Sequence, residues 1–530
     1  MKRIIILALA SLAAASVQAQ TISEAIALTD NLYTGTARSA ALGNAVTALG
    51  GDLGMIEINP AGSAVAGYSQ FAITPNLNFG HVNSTYASVG NYTPQYASGV
   101  IGESSDTRFM FTMPNVGFSL NISGGSSSLK GVTFSFVANS TGVFNERFGV
   151  GGLNDCFTSM TGSLSSQCGG YTPQELDGSY WSNVYWPYQL AYKSGMIRSL
   201  GGYDEYAGAA EVWGGDYYCV GAPLQQWFTR ERRGTKTDMV FNFACNFSDR
   251  FYVGLNVGIP TSNLTTTTTV REEAQNVPGT SCDIVYDLNG EAVRFVRTGY
   301  TQWERITTTG VFAKLGFIFV PVPGLRLAGA IQTPTAIRVS RCFQYDGYSD
   351  FSYVNRAGTL NAASTTPEGE ERYRLTAPFR YNLGAALTFG QYMLVSVDWE
   401  AANFNQMRFL GSNGADDYAD VNRTVSQVAG MSSSIRAGIE VKPLPQLAVR
   451  VGYNSKKNVF EGVNDFTRAI SAGLGYYSNG SFYCDLTGRL TRYPTEYYYP
   501  YADYIDGCGV PEMELSRRMI DVVFTFGWRF

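Results

Sequence analysis

The fold is decided by the stretch GTARSAALGNAVTALGGDLGMIEINPAG, which covers residues 35–62. Ala, Gly, Ser and Thr dominate it, and its charged residues are Arg38, Asp52 and Glu57. Side chains this small bury too little apolar surface to offset the conformational entropy that folding removes, so the stretch cannot be a domain by itself. We therefore predict that the rest of the chain provides the walls around it.

Two local structures are predicted inside this stretch. Apolar residues at helical spacing over residues 39–49 predict a short helix that Gly50 and Gly51 end. The tetrapeptide Asn-Pro-Ala-Gly at residues 59–62 predicts a turn, because proline fixes its own φ and glycine permits a left-handed bend. A plain glycine-rich N-terminal arm would give the same local pattern.

The remainder, residues 68–530, is predicted to form an antiparallel sheet of alternating strands. Six short turns alternate with seven long polar connections, which gives about 14 strands with both chain ends on the short-turn side. The predicted short turns lie at residues 123–130, 246–250, 321–324, 390–391, 443–446 and 478–481. The predicted fold class is all-β, a transmembrane antiparallel β-barrel.

The alternation is clearest in the last strand. One face carries the apolar series from Ile520 to Phe530, and the other carries Asp521 and Arg529. A charge on the lipid face costs about 2 to 4 kcal/mol at the bilayer centre, so charged strand residues are expected to point inward and pair. The predicted inward set is Arg380, Asp398, Glu400, Arg436, Glu440, Arg450, Asp485 and Arg489.

The composition favours a membrane protein built from strands. Charged residues make up 15% of the 530 residues, against about 25% in soluble domains. No run of about 18 apolar residues follows the first twenty residues, so membrane-spanning helices are not expected. The net charge is −5 and there is no Lys/Arg-rich block, so we expect no nucleic-acid partner.

Residues 1–19 have the pattern of a secretory signal peptide. Lys2 and Arg3 precede an apolar core at residues 4–15, and Ala19 ends a small-residue cleavage site. Export together with the strand pattern predicts a multi-pass barrel in the bacterial outer membrane, in contact with its lipid.

Residues 36–62 resemble the N-terminal plug of the FadL/TodX family, outer-membrane channels for long-chain fatty acids and other hydrophobic molecules. The matching residues are Thr36-Ala37-Arg38, Leu42-Gly43, Ala45-Val46-Thr47-Ala48-Leu49 and Asn59-Pro60-Ala61-Gly62. Gly50-Gly51 and Ser63 depart from the family pattern. The resemblance implies that residues 20–67 form a plug inside a barrel of residues 68–530, and that Arg38 and residues 59–62 take part in plugging and gating.

The third predicted strand loses its alternation at Asn139, Ser140, Thr141 and Gly142. A polar interruption that contains glycine indicates a bulge or kink in the wall. The resemblance implies a kinked third strand that opens the barrel sideways. The alternative is that the strand ends here, at the outer rim.

The longest predicted connection, residues 145–235, is expected to fold as an outer cap because it is too long for a turn. It holds four of the seven tryptophans. Exposed aromatic groups favour a ligand surface, and the resemblance implies a first hydrophobic site in the outer loops. The candidate capture residues are Trp181, Tyr185, Trp186, Tyr188, Leu190, Met196 and Ile197. A self-packed loop core is the alternative.

Six of the eight cysteines fall in predicted outer loops, where export through an oxidising compartment favours disulfides. Their closeness in sequence makes Cys156 and Cys168 the first candidate pair. Cys245 and Cys484 lie on the apolar face of predicted membrane strands and are expected to be unpaired.

The sequence offers little material for catalysis. His81 is the only histidine, and no CxxC, HExxH, GxSxG or P-loop pattern occurs. A zinc site and a Ser/His/Asp triad therefore lack their residues. We predict no enzymatic activity, no metal site and no cofactor.

The predicted function is that of a monomeric outer-membrane channel for passive uptake of hydrophobic small molecules such as long-chain fatty acids. The alternative is a plugged barrel that acts as a docking platform for secretion or surface-attachment partners. A continuous apolar tunnel would favour transport, whereas a closed or polar lumen would favour the platform.

Overall fold

The structure is a computed structural model, and it describes residues 22–87, 102–124, 128–154, 157–201, 205–414, 418–478, 481–505 and 508–530. The predicted signal peptide and Cys156 lie outside these ranges.

Fourteen antiparallel strands in the described ranges close into a barrel. Each strand pairs with the next along the chain, and the last pairs with the first from Gln70↔Arg529 to Ala87↔Glu512. The strands are β1 (Gln70–Ala87), β2 (Gly102–Ser123), β3 (Leu129–Asn154), β4 (Leu224–Phe247), β5 (Phe251–Ala274), β6 (Glu291–Val322), β7 (Leu325–Gln332 and Thr335–Tyr353), β8 (Gly369–Ala377 and Arg380–Phe389), β9 (Met393–Asn403 and Arg408–Gly411), β10 (Met431–Leu444), β11 (Leu447–Lys457), β12 (Phe466–Tyr477), β13 (Phe482–Arg492) and β14 (Glu512–Arg529). The predicted all-β barrel is confirmed.

Short turns join every second pair of strands, beginning with β2 and β3, at the six places predicted. Left-handed backbone makes several of them tight. Ser248 and Asp249, between β4 and β5, have φ of 56° and 55°, and Gly324, between β6 and β7, has φ of 91°. The long connections therefore gather at the opposite end of the barrel.

The outer surface of the barrel is apolar and its interior is polar. On β8, Phe379, Leu383 and Phe389 are 38%, 54% and 55% exposed. Arg436 and Arg450, on β10 and β11, are each 1% exposed. A closed barrel with this distribution satisfies its backbone within the wall and offers lipid an apolar face, so the chain spans the bacterial outer membrane.

No helix in the described ranges is long and apolar enough to cross a membrane.

The last strand alternates as predicted. Phe526 and Trp528 are exposed on the outer face, and Asp521 is buried on the inner face. Beyond this strand, Phe530 and Ser69 exchange two backbone hydrogen bonds, of 3.0 and 3.1 Å. The two ends of the wall therefore meet at one seam.

The connection between β3 and β4 is shorter than the predicted 145–235. β3 continues to Asn154 and β4 begins at Leu224. These strand ends extend beyond the apolar surface band, where neither face has to be apolar, so the sequence there carries no alternation of hydrophobicity. We call residues 157–223 the cap.

The structure also contains helices and short strands that are not part of the wall. The helices are α1 (residues 22–29), α2 (Ala37–Ala41), α3 (Met160–Ser166), α4 (Pro173–Leu176), α5 (Trp186–Lys193) and α6 (Ala419–Val428), with 3-10 helices at Leu53–Met55, Pro60–Val65 and Phe404–Gln406. The short strands are Ile197–Ser199, Tyr206–Gly208, Glu211–Trp213, Tyr218–Val220, Val285–Leu288, Thr359–Thr365 and Glu496–Tyr498. Three of the helices and four of the short strands belong to the cap.

The predicted pairing of Cys168 with Cys156 is wrong. Cys168 is a free, fully buried thiol in the cap, and its Sγ donates to the Leu164 carbonyl at 3.1 Å. Burial raises the pKa of the Cys168 thiol to about 12, so little of the reactive thiolate forms. Cys245 and Cys484 are also free.

Candidate functional site

The N-terminal segment, defined as residues 22–67, begins with α1 and contains α2. α2 is shorter than the helix predicted over residues 39–49, because Gly43 and Asn44 have left-handed φ values of 63° and 61°. Thr36 caps α2 through its side chain, which accepts a backbone N–H of the first turn. Nearly every residue from 31 to 64 is buried, and the segment's larger apolar side chains, such as Leu42, Leu49 and Ile58, pack against residues of the wall. Its burial therefore depends on the strands around it.

Gly43 lies at a close approach of this segment to the barrel wall. A Cβ at this position would lie 2.7 Å from both the backbone N and the backbone O of Tyr453 on β11. Gly452, the preceding residue of the strand, leaves matching space, since a Cβ there would overlap the Gly43 nitrogen. The two glycines let two backbones touch, which no larger residue permits.

Asn59 connects three parts of the molecule. Its side-chain oxygen accepts from the Ala61 N–H at 3.1 Å. Its amide donates to the carbonyl of Thr47 at 2.8 Å, within the N-terminal segment, and to that of Phe317 on β6 at 3.1 Å. One side chain therefore caps its own turn and holds that turn against the wall.

The rest of the tetrapeptide also contacts the wall. Pro60 is the first residue of a 3-10 helix, and its carbonyl accepts from the Asn242 amide on β4 at 2.9 Å. The Gly62 carbonyl accepts from the Gly51 N–H at 2.9 Å. The prediction of a turn at residues 59–62 is therefore incomplete. These residues begin a capped 3-10 helix that is bonded to two strands.

Hydrogen bonds join the N-terminal segment to many strands of the wall. Asp398 on β9 accepts from both the backbone N–H and the hydroxyl of Thr47, each at 2.7 Å. Lys314 on β6 donates to the Glu57 carbonyl at 2.9 Å. Further bonds join Leu32 to Thr141 on β3, Asp30 to Lys236 on β4 and to Lys456 on β11, Ala41 to Ser471 on β12, Tyr33 to Arg489 on β13, and Ala37 to Thr525 on β14.

Arg38 connects the segment to a buried ionic network. Its Nε donates to Glu440 Oε2 on β10 at 3.0 Å, and Glu440 also accepts from Arg450 at 2.7 Å. Arg450 pairs in turn with Asp485 on β13 at 2.5 Å. Two further buried groups are Glu400 with Arg380 and Arg436, and Arg489 with Asp521. The predicted inward set of mixed sign therefore lies buried inside the barrel, where all its members except Asp398 form ion pairs.

β2 and β3 are paired along only part of their lengths. Their pairing runs from Ser123↔Gly131 to Asn115↔Asn139, and beyond that point the described part of β2 pairs with β1 alone. Pro114 stands where the pairing stops, and proline has no N–H to donate. The result is a break in the wall.

The interruption in the third strand lies at this break. The register of β3 against β4 shifts between Ser140 and Gly142. β3 does not end there, contrary to the alternative prediction, but continues to Asn154 while paired with β4. The Leu32 N–H of the N-terminal segment donates to the Thr141 carbonyl at 2.8 Å. The segment therefore contacts the wall at the point where the wall is interrupted.

Buried amides border the break. Asn115 donates to Asn139 Oδ1 at 2.6 Å, and Asn145 donates to Asn78 Oδ1 at 2.8 Å and to the Arg108 carbonyl at 3.1 Å. The second pair of bonds attaches the outer part of β3 to β1 and β2 through side chains in place of backbone pairing. Among these residues only Asn139 was singled out from the sequence, because the others sit in strands whose alternation is intact.

The predicted capture residues divide by burial. Leu190, Met196 and Ile197 are at most 2% exposed and belong to the apolar core of the cap, as the alternative prediction holds. Trp181 and Tyr185 are 72% and 42% exposed. The half-buried members between these two groups are Trp186 and Tyr188. A ligand arriving from outside meets only the exposed group.

A row of aromatic contacts leads from that exposed group to the inner face of the outer part of the wall. The ring centroids of Trp181 and Trp186 are 5.2 Å apart, and those of Trp186 and Phe343 on β7 are 5.5 Å apart. The row continues from Phe343 to Tyr345 at 5.7 Å and from Tyr345 to Tyr300 on β6 at 6.0 Å. The three strand residues were not predicted, although the spacing of two between Phe343 and Tyr345 places both on one face.

A small cavity lies between α1 and the wall. Its lining includes Leu28, Lys236, Asp238, Phe312, Ile337 and Arg380. Charged and apolar side chains alternate around it, so this space is not a section of apolar tunnel. Passage of a cargo through the barrel requires the N-terminal segment to move.

No protein-family model matches the chain, and no curated protein matches it. Among solved structures, the chain is similar to the Ralstonia pickettii toluene transporter TbuX, with 12% identity, 95% of this chain and 99% of that chain covered, and a TM-score of 0.43. It is also similar to a Pseudomonas aeruginosa FadL homologue (10% identity, 94% and 99% covered, TM-score 0.49). The chain is similar as well to the P. putida toluene transporter TodX, with 11% identity, 95% of this chain and 99% of that chain covered, and a TM-score of 0.47. Similarity at this level does not assign a function to the chain.

Proposed function

We propose that the chain is an outer-membrane channel for passive uptake of hydrophobic small molecules such as long-chain fatty acids, and that the N-terminal segment is its plug. The observation that carries the proposal is the set of bonds from this segment to twelve strands, including those from Leu32 and Thr34 to β3 at the break. A segment held in this way blocks the interior and lies beside a lateral exit. The sequence resemblance of residues 36–62 agrees with this role.

The cap supplies the entry site in this proposal. An apolar solute gains free energy by leaving water for the aromatic surface around Trp181 and Tyr185. It then passes the aromatic row on the inner face of β6 and β7, displaces the plug near residues 59–62, and leaves through the break between β2 and β3. The channel acts as a monomer and moves its cargo down a concentration gradient.

The plug can be displaced because each of its hydrogen bonds to the wall contributes little net free energy. A hydrogen bond contributes only about 0.5 to 1.5 kcal/mol net, because water replaces the lost partner. The wall keeps its own backbone pairing when the segment moves, since almost all its strand contacts are between neighbouring strands. The plug can therefore shift while the barrel stays folded.

The decisive experiment fixes the plug to the wall reversibly. Ser63 Oγ donates to Asn242 Oδ1 on β4 at 2.6 Å, so the pair Ser63→Cys with Asn242→Cys can be cross-linked by oxidation. Uptake of labelled oleate is measured in a strain without its own hydrophobic uptake channel. We expect the oxidised double variant to fall to the level of the empty vector, and reduction to restore uptake. The two single variants, given the same oxidation, are matched controls and should keep wild-type uptake.

Equal uptake by the oxidised and reduced double variants, with cross-linking verified by mass spectrometry, would show that the segment is not a movable plug. Absence of uptake by the wild-type chain, for oleate and for toluene, would contradict the channel itself.

The second candidate function is a docking platform, and the same network of bonds favours it, because a segment held by buried ion pairs suits a permanently closed barrel. The cross-linked double variant separates the two. A platform keeps its cellular role when the segment is fixed, whereas a channel loses it.

A further inference from the structure

Three exposed arginines form a cluster on the outside of the barrel, on the neighbouring strands β7, β8 and β9. Arg338 and Arg374 lie directly opposite each other in the pairing of β7 with β8. Arg408 on β9 pairs with Thr376, two residues from Arg374 on the same face, so Arg408 and Arg374 are diagonal neighbours. All three side chains point away from the buried face of their strands. We call them the arginine triad.

The arginine triad lacks an acidic partner within the described part of the chain. Arg408 Nη1 donates to the carbonyls of Asn405 and Met407 at 2.7 and 2.8 Å, and no described carboxylate forms an ion pair with any of the three. Like charges placed directly opposite each other destabilise a strand pair. In contrast, Arg372, on the same face of β8, pairs with Glu370 at 2.7 Å. The positive charge of the triad is therefore not neutralised by a described carboxylate, whereas that of Arg372 is.

The position of the triad along the barrel is that of lipid headgroups. On the outer face of β8, exposed apolar side chains extend from Phe389, near the short-turn end, to Phe379. For a strand tilted by about 40° with a rise of about 3.3 Å per residue, this distance is about 25 Å along the membrane normal, the height of the apolar band of such barrels. Arg374 lies about 12 Å beyond Phe379 on the same scale, in the outer headgroup layer.

We propose that the arginine triad binds the phosphate of a lipid headgroup in the outer leaflet. Guanidinium groups hold phosphate with paired hydrogen bonds, and three of them at adjacent strand positions can surround one phosphate. Such an anion offsets the repulsion between Arg338 and Arg374. The lipid, and not a soluble anion, is the occupant because the cluster lies outside the wall at headgroup height. This inference does not depend on what passes through the barrel.

The test uses the full chain in mild detergent, titrated with bis-phosphorylated lipid A and followed by native mass spectrometry. We expect the wild-type protein to retain this lipid at least tenfold better than the same lipid with its phosphates removed. The triple variant Arg338→Gln, Arg374→Gln, Arg408→Gln should lose that preference. Folding of each variant is checked by the heat-dependent gel mobility of the barrel.

A matched control removes the same charge elsewhere. Arg297, Arg356 and Arg372 are exposed arginines, and each is paired with a carboxylate, so the triple variant Arg297→Gln, Arg356→Gln, Arg372→Gln should bind as the wild type does. Should the triad variant fail to fold, Arg374→Gln alone removes the central member and should weaken retention several-fold.

Three results would overturn the proposal. They are undiminished retention by the folded triad variant, an equal loss in the control variant, and equal retention of the dephosphorylated lipid. Displacement of lipid A by millimolar inorganic phosphate would assign the triad to a free anion instead, and would contradict the lipid as its occupant.

Discussion

The N-terminal segment and the cap are both additions to the wall, but they are held by different forces. Most side chains of the segment are small, and it is fixed mainly by ion pairs and hydrogen bonds to twelve strands, such as those of Arg38 and Thr47. A few large apolar residues, such as Leu42 and Ile58, also pack against the wall. The cap has an apolar core, which includes Ala191 and Met196 and continues onto residues of the outer wall such as Phe228 of β4. The segment depends on the barrel for its structure, whereas the cap is stabilised in large part by packing among its own residues.

The difference shows how each region can move. Polar contacts exchange for water at small net cost, so we expect the segment to be able to leave its place as a unit. An apolar core opens only with loss of packing, so the cap stays folded while ligands meet its surface. Four changes test this contrast.

The largest effect is expected for Arg450→Met. Arg450 is 1% exposed and donates to Glu440, Asp485 and the Tyr477 hydroxyl, so its loss leaves the buried carboxylate of Asp485 without an ion-pair partner and leaves Glu440 to Arg38 and Lys442. The free energy of unfolding should fall by about 3 to 5 kcal/mol, measured by urea unfolding of the barrel in lipid. Arg372→Met, in an exposed pair, should change it by less than about 1 kcal/mol. Equal effects of the two would contradict the role of the buried network.

Leu190→Ala tests the core of the cap. Leu190 is fully buried beside Met196, over Gly347 of β7, and truncation of such a residue costs about 2 to 5 kcal/mol. We expect faster amide hydrogen exchange within residues 157–223 and unchanged unfolding of the barrel. Trp181→Ala, at an exposed position, is the control and should change neither. Coupled loss of barrel stability would show that the cap is not independent.

A comparison of Gly43→Ala with Gly51→Ala separates the effect of a steric contact with the wall from the effect of a left-handed φ. Both glycines have left-handed φ, 63° and 81°, so alanine at either costs about 1 to 2 kcal/mol. A Cβ at Gly43 also meets the Tyr453 backbone, whereas at Gly51 nothing lies within 4 Å. Only Gly43→Ala should displace the segment and raise the ion conductance of the barrel in planar bilayers. The same conductance in both variants would contradict the close approach described above.

The smallest effect is a pH dependence of the cap. Glu211 is buried and accepts from the Gly208 N–H and the Tyr504 hydroxyl, each at 2.7 Å, and its burial raises the pKa of its carboxyl. A raised folded-state pKa means that its contribution to stability is complete below the unfolded value of about 4.3 and is lost as the pH rises through the folded value. Hydrogen exchange around residues 205–213, corrected for intrinsic rates, should therefore increase over that range. Glu211→Gln should remove the dependence, and a persistent dependence would assign it to another group.

Much of the wall could be predicted from the sequence because its signals are local. Alternation of apolar and polar residues identifies strands wherever lipid covers one face, and turn residues such as Gly324 and Gly390 mark the short connections. This alternation is lost in the parts of the strands that extend beyond the membrane. On the outer part of β4, Arg230 and Glu231 lie on opposite faces of one strand, so no hydrophobic alternation indicates that β3 and β4 extend beyond the membrane.

The site was predicted less completely because its contacts join residues far apart in sequence. The resemblance indicated Arg38 and residues 59–62, but no local pattern pairs Arg38 with Glu440 or Gly43 with Tyr453. The aromatic row was missed for the same reason, since Trp186 and Phe343 are adjacent only in the folded chain. The choice of Cys156 for Cys168 failed because nearness along the chain is a poor guide in a cap with its own core.

The seam at Ser69 and Phe530 fixes the order of events in biogenesis. β1 cannot join β14 until the final residues have been delivered, so the ring stays open while thirteen other strands are laid down. The N-terminal segment is synthesised before any of them and has to be threaded inside before the ring shuts. Its high content of Ala, Gly, Ser and Thr then serves a second purpose, because a stretch that stays so long in water must not aggregate.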